Sequence, residues 1–343
     1  MEYGAIDLHT QDSQIRIMTA DGAVVVDRRI RTRPDRFAEA FGGRAPMRIL
    51  LETGTESEWV AQCLEGLGHE VVVADPNYAA MYGLRTRRIK TDRRDVAALA
   101  EANRHGIYRA THRVTAPVRE MRRRLRVRAH LVTVRTELIN LVRAQLRSDG
   151  LRLPGGTAEA VVARVRAVRM PAALEATLAP VLEMLAVLGP VLAARDRWVK
   201  AAAGADGVAA RLMTAPGIGP VTALHYRATL ATIERFPTAG AVTSYLGLVP
   251  RERSSGTQHR QGPITKSGPG ELRALLVQCA WTVWRLPQSN AVLHAWVHRL
   301  AARRGRRVAI VGLARRLARI LYALWRDGRA FDAARVGRLS AAA

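Results

Sequence analysis

The apolar residues of this 343-residue chain change their spacing once, near residue 110, and that change restricts the fold to an α/β unit followed by helices. Over the opening segments the period is two: Tyr3–Leu8, Gln14–Thr19 and Ala23–Ile30 read as three strands, with Asp21-Gly22 as a turn. A short helix over Pro34–Phe41, an apolar strand Met47–Leu51, a helix Glu56–Leu67 closed by Gly68 and a strand Val71–Ala74 continue the alternation. Lys90–Arg104 then has helical spacing, with Thr91 as its cap and Val96, Leu99 and Ala100 on the apolar side.

Past Pro117 the period is three to four. Leu125, Leu131, Val134, Leu138, Leu141 and Val142 mark one long helix reaching to Leu151, with arginines on its other faces. After Pro154-Gly155-Gly156, a second helical region, Ala158–Ala203, is punctuated by Pro171, Pro180 and Gly189 and is expected to fold back as a hairpin or coiled-coil arm. From Leu212 the chain reads as helical around one irregular basic loop, Val249–Pro269, and closes with a helix over Val308–Arg326. The expected domains are 1–112, 113–205 and 206–343.

Charge divides along the same lines. Residues 1–115 hold 17 Lys+Arg against 16 Asp+Glu, residues 116–205 hold 16 against 7, and residues 206–343 hold 21 against 6, giving a formal net charge of +25. Such a skew points to a polyphosphate partner for the last two-thirds, bound with steep salt dependence. Cys63 and Cys279, far apart and without a Cys-x-x-Cys pair, exclude a disulfide scaffold and a zinc ribbon. Early acids at Glu2, Asp7 and Asp12, and the lack of a long uncharged apolar run, lead us to expect no signal peptide, no membrane span and a cytoplasmic protein.

Four acids carry the chemical interest of the first part. Asp7 terminates the run Tyr3-Gly4-Ala5-Ile6, and Glu52 terminates Arg48-Ile49-Leu50-Leu51. An acid ending a buried strand is desolvated unless a cation or a proton meets it. Asp92 and Asp95, three apart on a helix, project from one face. Four hard oxygen donors of this kind can hold Mg²⁺ ions about 4 Å apart, the geometry of phosphate-ester chemistry. The plainer alternatives are a strand-end turn for Asp7, and a helix-dipole pair, or partners for Arg93 and Arg94, for Asp92 and Asp95; spacing leaves both open.

In the basic part, Pro216-Gly217-Ile218-Gly219-Pro220 is similar to the hairpin of a helix–hairpin–helix element, in which glycines admit a phosphate to backbone N–H groups. Further on, Ser254-Ser255-Gly256 lies among Arg251, Arg253, Arg260 and Lys266. A serine there can attack phosphorus, or can donate hydrogen bonds to a bound phosphate. The expected nucleic-acid contacts are Arg122, Arg123, Arg124, Arg126, Arg128 and Arg135 of the long helix, Gly217 and Gly219 of the hairpin, and Arg251, Arg253, Arg260 and Lys266 of the loop. His9, His105, His225 and His259 receive no role, since a lone histidine is more often structural.

Taken in order, these segments resemble the insertion-sequence-110 family of transposases, the bridge-RNA-guided recombinases. The resemblance is carried by Gly4-Ala5-Ile6-Asp7, Leu51-Glu52-Thr53-Gly54, Lys90-Thr91-Asp92-Arg93-Arg94-Asp95, Arg135-Thr136-Glu137-Leu138-Ile139-Asn140, Pro216-Gly217-Ile218-Gly219-Pro220, Leu246-Gly247-Leu248-Val249-Pro250, Ser254-Ser255-Gly256 and Gly262-Pro263-Ile264-Thr265-Lys266. One departure is Pro269-Gly270, where a Gly-Asn step often stands. The resemblance implies an RNase-H-like (RuvC-like) amino-terminal domain and a mainly helical carboxy-terminal transposase domain. It places an Mg²⁺-binding tetrad, with Mn²⁺ as a substitute, on Asp7, Glu52, Asp92 and Asp95. It also implies a serine that becomes joined to DNA, Ser255 with Ser254 as the fallback. Its partners are target and donor DNA, a structured non-coding RNA and further copies of the chain as dimer or tetramer. Two other readings are a metal-dependent Holliday-junction nuclease using water as nucleophile, and a catalytically inactive RNA- or DNA-binding protein.

Overall fold

The computed structural model describes residues 1–83, 91–252 and 261–334. The chain forms two compact units, Met1–Val114 and Thr115–Ala343.

The first unit is built on a five-stranded sheet in the order β3-β2-β1-β4-β5, from β1 (Glu2–Leu8), β2 (Asp12–Thr19), β3 (Val24–Arg31), β4 (Arg48–Glu52) and β5 (Glu70–Ala74). β1, β2 and β3 form an antiparallel meander, while β4 runs parallel to both β1 and β5. The alternation read along β2 becomes its burial pattern, Ile15 and Ile17 being fully buried. Ile6, Ile49 and Leu51 pack with Phe37 of α1 (Pro34–Phe41) and with Val60 and Leu64 of α2 (Ser57–Gly66). On the opposite face Ala5 and Leu50 pack with Val96 and Leu99 of α3 (Asp92–His105).

One amide fastens α3 to the sheet. Asn103, fully buried, donates from Nδ2 to the Gly4 carbonyl at 2.8 Å and to the Arg48 carbonyl at 2.9 Å, tying the helix to β1 and β4 together. Asn103→Ala is expected to cost about 2–3 kcal/mol, because two buried carbonyls lose a donor and a cavity opens. Urea melts check this, and unchanged stability would show that the clamp is redundant.

The second unit starts with α4 (Ala116–Ser148), followed by a short α5 (Val161–Arg166) and by α6 (Ala172–Ala205). α4 and α6 form the expected antiparallel hairpin. Near its root Arg128 pairs with Asp196 and Arg124 stacks on Trp198, while farther out Ile139, Val142 and Leu146 meet Leu174, Leu178, Leu182 and Leu185. Contrary to the expected breaks at Pro180 and Gly189, α6 is continuous through both, and through Pro190. Each proline removes one N–H, and the buried leucines spaced three and four apart hold the remaining turns in line.

The root of the hairpin joins a larger core. Leu125, Val199 and Ala203 pack with residues of α7 (Gly207–Leu212), α8 (Pro220–Leu230), α9 (Ala239–Tyr245), α10 (Gly270–Arg285), α11 (Ala291–Arg304) and α12 (Arg306–Arg326). Two buried tyrosines lock it: Tyr226 donates to the Ala318 carbonyl and Tyr322 to the Phe236 carbonyl, each at 2.9 Å. The segment expected to be an irregular loop contains a two-stranded antiparallel ribbon, β6 (Pro250–Glu252) and β7 (Gln261–Ile264). Its strands are too short, and too polar in β6, to register as a period of two. Among the described residues, α6 is the one helix long and apolar enough to cross a membrane by composition, with a mean hydropathy of 1.8.

Candidate metal centre

Side chains alternate across a strand, so Asp7 shares the face of Ala5, and Glu52 shares the face of Leu50. Both faces are the one that α3 covers. The pairing of Ile6 with Leu51 in the parallel β1–β4 ladder puts Asp7 and Glu52 next in register at neighbouring strand ends. Asp92 and Asp95 occupy the first turn of α3. The turn starts there because the Thr91 hydroxyl accepts from the Arg94 N–H, and the helix stops where Gly106 takes a left-handed conformation. A strand pair and one helix end thus bring the four acids to a single face.

Within this arrangement Asp7 and Asp92 come together, and a residue given no role from the sequence joins them. Asp7, His9 and Asp92 each offer a donor atom, and the three atoms lie within 4.8 Å of one another. His9 Nε2 is 3.4 Å from Asp7 Oδ2 and 3.6 Å from Asp92 Oδ1. Asp7 and Asp95 are buried, Glu52 is half-buried, and Asp92 and His9 are about half exposed. Glu52 and Asp95 fall outside the 4.8 Å group and flank it, one on the adjoining strand and one a helical step along. The signal for His9 was its position two residues after Asp7, which continues the strand's alternation onto the same face.

These donors suit a divalent ion. Carboxylate oxygens are hard ligands, and a buried acid such as Asp7 is stabilised as an anion by a cation. Two ligands on one ion with bonds of about 2.1 Å stand about 3.0–3.4 Å apart, which the His9–Asp7 separation reaches and the His9–Asp92 separation slightly exceeds. Asp7, Glu52, Asp92 and Asp95 are the oxygen donors available, with His9 as a nitrogen donor. Of the two arginines that could pair with the helix acids, Arg93 is engaged elsewhere: its Nε donates to Asp27 Oδ2 at 3.1 Å. Burial opposes ionisation of Asp27, and the Arg16 and Arg93 guanidinium groups outweigh it, so its pKa lies below the ordinary value.

The expected nucleic-acid contacts separate into groups. Arg122, Arg124, Arg128 and Arg135 are committed to internal partners, namely the Ala228 and Thr229 carbonyls, Glu120 with Trp198, Asp196 and Glu159. Arg123, three-quarters exposed, reaches Glu120 only at 3.8 Å. Arg126, Arg251 and Lys266 are exposed. Gly217 has a φ of +76°, and a Cβ there would meet the Cys279 carbonyl at 2.9 Å, so this glycine allows α10 to pack close; Gly219 is the N-cap of α8. Ser254, Ser255, Arg253 and Arg260 lie outside the described residues.

An α/β unit with strand-end acids beside an acid-bearing helix, joined in one chain to a strongly cationic helical unit, has the make-up of a DNA-cleaving or recombining enzyme. Comparison with known families narrows this class. Residues 209–294 match the model described as "Transposase IS116/IS110/IS902 family", and residues 5–148 match a DEDD model described as "Transposase". A probable family 20 transposase of Pseudomonas aeruginosa is 30% identical over 326 residues, covering 93% of this chain and 95% of its own. The transposase for insertion sequence element IS1328 of Yersinia enterocolitica is 30% identical, covering 84% and 86%, and that for IS1111A of Coxiella burnetii is 27% identical, covering 88% and 84%. The chain belongs to the IS110/IS116/IS902 family of insertion-sequence transposases.

Proposed function

We propose that this transposase moves DNA by a serine-linked strand exchange, guided by a structured non-coding RNA and dependent on Mg²⁺. In this reading the first unit is an RNase-H-like domain, and Asp7, Glu52, Asp92 and Asp95 hold the metal. The organisation follows the segments 1–112, 113–205 and 206–343, with the middle segment an arm. The observation that carries the reading is the convergence of strand-end and helix-end acids on one face of the sheet, in a chain of this family.

Ser255 Oγ attacks a DNA phosphodiester; the Oγ–P bond forms, the bond from phosphorus to the 3′ oxygen breaks, and that oxygen leaves as a 3′-hydroxyl. The link keeps the energy of the broken ester for rejoining to the partner strand. Bound Mg²⁺ supplies charge stabilisation for phosphoryl transfer. Arg251 and Lys266, with Arg253 and Arg260 of the same loop, steady the phosphate oxygens. His9 Nε2, 3.4 Å from Asp7 Oδ2 and 3.6 Å from Asp92 Oδ1, adds a nitrogen donor beside the two carboxylates.

Self-association is part of the proposal. Met184, Val187 and Val191 of α6 are 53%, 69% and 38% exposed at coiled-coil spacing, and a second copy of the arm would cover them. Sedimentation equilibrium that finds only monomer removes this element.

The test is strand exchange by the full-length protein on a plasmid carrying the element's ends, with RNA transcribed from its non-coding flank. Exchange that needs both the RNA and Mg²⁺ is the expected result. Exchange without RNA overturns the guided mechanism, and metal-dependent cleavage without any protein–DNA adduct assigns the attack to water.

A further inference from the structure

A second site lies within the unit that begins at Thr115. There a cavity of about 300 Å³ is lined by Arg122 and Arg126 of α4, His225 and Thr229 of α8, Tyr245 at the end of α9, and the first turn of α10. Four observations at this cavity point to an anion.

The first is unneutralised charge. Arg122 is half-buried and pinned, its Nε and Nη2 donating to the Ala228 and Thr229 carbonyls at 2.8 and 3.0 Å, so its charge is fixed at the wall. Burial, and then the charges of Arg235 and Arg126, lower its pKa against the pull of Tyr245. Arg126, exposed one turn along α4, meets no carboxylate among the described residues. The second is the start of α10, a 16-residue helix whose N-cap, Pro269, offers no side-chain cap to its first N–H groups.

The third is His225, which is 6% exposed and lines the cavity. Burial, with a smaller push from Arg128, holds its pKa down to about 4, so near neutral pH it is an uncharged imidazole with one N–H to give. The fourth is the charge balance. Glu271, in the first turn of α10, also lines the cavity, so the lining groups Arg122, Arg126 and Glu271 leave one net positive charge. One positive charge matches a phosphodiester, which carries a single negative charge, better than a free phosphate near neutral pH.

We propose that this cavity seats one backbone phosphodiester of a bound nucleic-acid strand, with Arg122 and Arg126 supplying charge and the α10 amides and His225 supplying hydrogen bonds. The inference rests on the reading of the chain as a nucleic-acid-handling transposase and adds to it a defined phosphate seat remote in sequence from the acids. Because backbone phosphate carries no base information, the seat contributes affinity and register and no sequence preference.

Fluorescence anisotropy of the full-length protein tests it, using a labelled 30-base-pair DNA duplex and a labelled RNA hairpin of unrelated sequence over a range of salt concentrations. Arg126→Gln is expected to weaken binding by about fivefold to tenfold and to lower the salt slope by about one; Arg169→Gln, which removes an equal charge outside the cavity, weakens it by less than about twofold. Glu271→Gln, which removes the opposing charge, is expected to tighten binding by about twofold to threefold. Effects confined to the duplex assign the seat to DNA, and effects confined to the hairpin assign it to RNA; either supports the site. Equal losses for Arg126→Gln and Arg169→Gln, or no tightening by Glu271→Gln, overturn it. If the wild-type protein binds neither probe, the transposase reading itself fails.

Discussion

Asp7→Asn is expected to abolish metal-dependent strand cleavage, lowering the rate by at least about 10²–10³-fold, the scale seen when one charge partner of a transition state is lost. The substitution keeps the side chain's shape, so the fold is retained, and it removes the buried carboxylate at the end of β1 that meets His9 and Asp92. Stability in EDTA should move the other way. With no ion present, Asp7 and Asp92 are like charges within 4.8 Å, and neutralising one relieves repulsion and desolvation, so the variant should melt at the same temperature as the wild type or slightly above it. Calorimetric titration with Mn²⁺ separates the two effects: binding should be lost in Asp7→Asn and present in the wild type. Cleavage and Mn²⁺ binding that survive in the variant would remove this cluster from the mechanism.

Ser255→Ala has the other large effect. The expected result is full nucleic-acid binding by anisotropy, with complete loss of the protein–DNA adduct on a denaturing gel. Alanine leaves every cation of the 251–266 loop in place and deletes only the oxygen that would form the bond to phosphorus. Ser254→Ala should keep the adduct. If the two variants exchange behaviour, the nucleophile is Ser254, and if both keep the adduct, it lies outside this loop. Pairing Ser255→Ala with Asp7→Asn in one mixed assembly extends the test, since restored exchange requires the hydroxyl and the acids to come from different copies of the chain.

Where the chain alternates cleanly, its fold was legible. The buried Ile15 and Ile17 of β2 read directly as a strand, and Thr91 and Gly106 bracket α3 by hydrogen bonding and backbone freedom that depend on those residue types. Asp7 and Glu52 stand out for the same reason, since each ends a run whose burial the pattern shows, whereas Asp92 and Asp95 stand out only as a pair three apart behind the Thr91 cap. The β6–β7 ribbon escaped because three- and four-residue strands carry too little period, and α6 reads as divided because proline acts locally, while the buried leucines pack along the helix against α4 and α5. His9 received no role because it lies one residue past the end of β1, and a lone histidine carries no motif of its own, although its spacing from Asp7 marks the shared face. The role of Ser255 rests on the resemblance of its Ser-Ser-Gly step, since residues 253–260 lie outside those described.

The α4–α6 hairpin has two separate apolar clusters, one at its root beside Leu125 and Val199 and one farther out beside Ile139 and Leu182. In the interval between them Arg128 pairs with Asp196, and Leu192 of α6 is buried. Adding or deleting matched turns on both helices in that interval would change the arm's span by about 5.4 Å for each turn and leave both clusters whole. The distance between the two clusters is thus set by helix length, separately from the packing at either end.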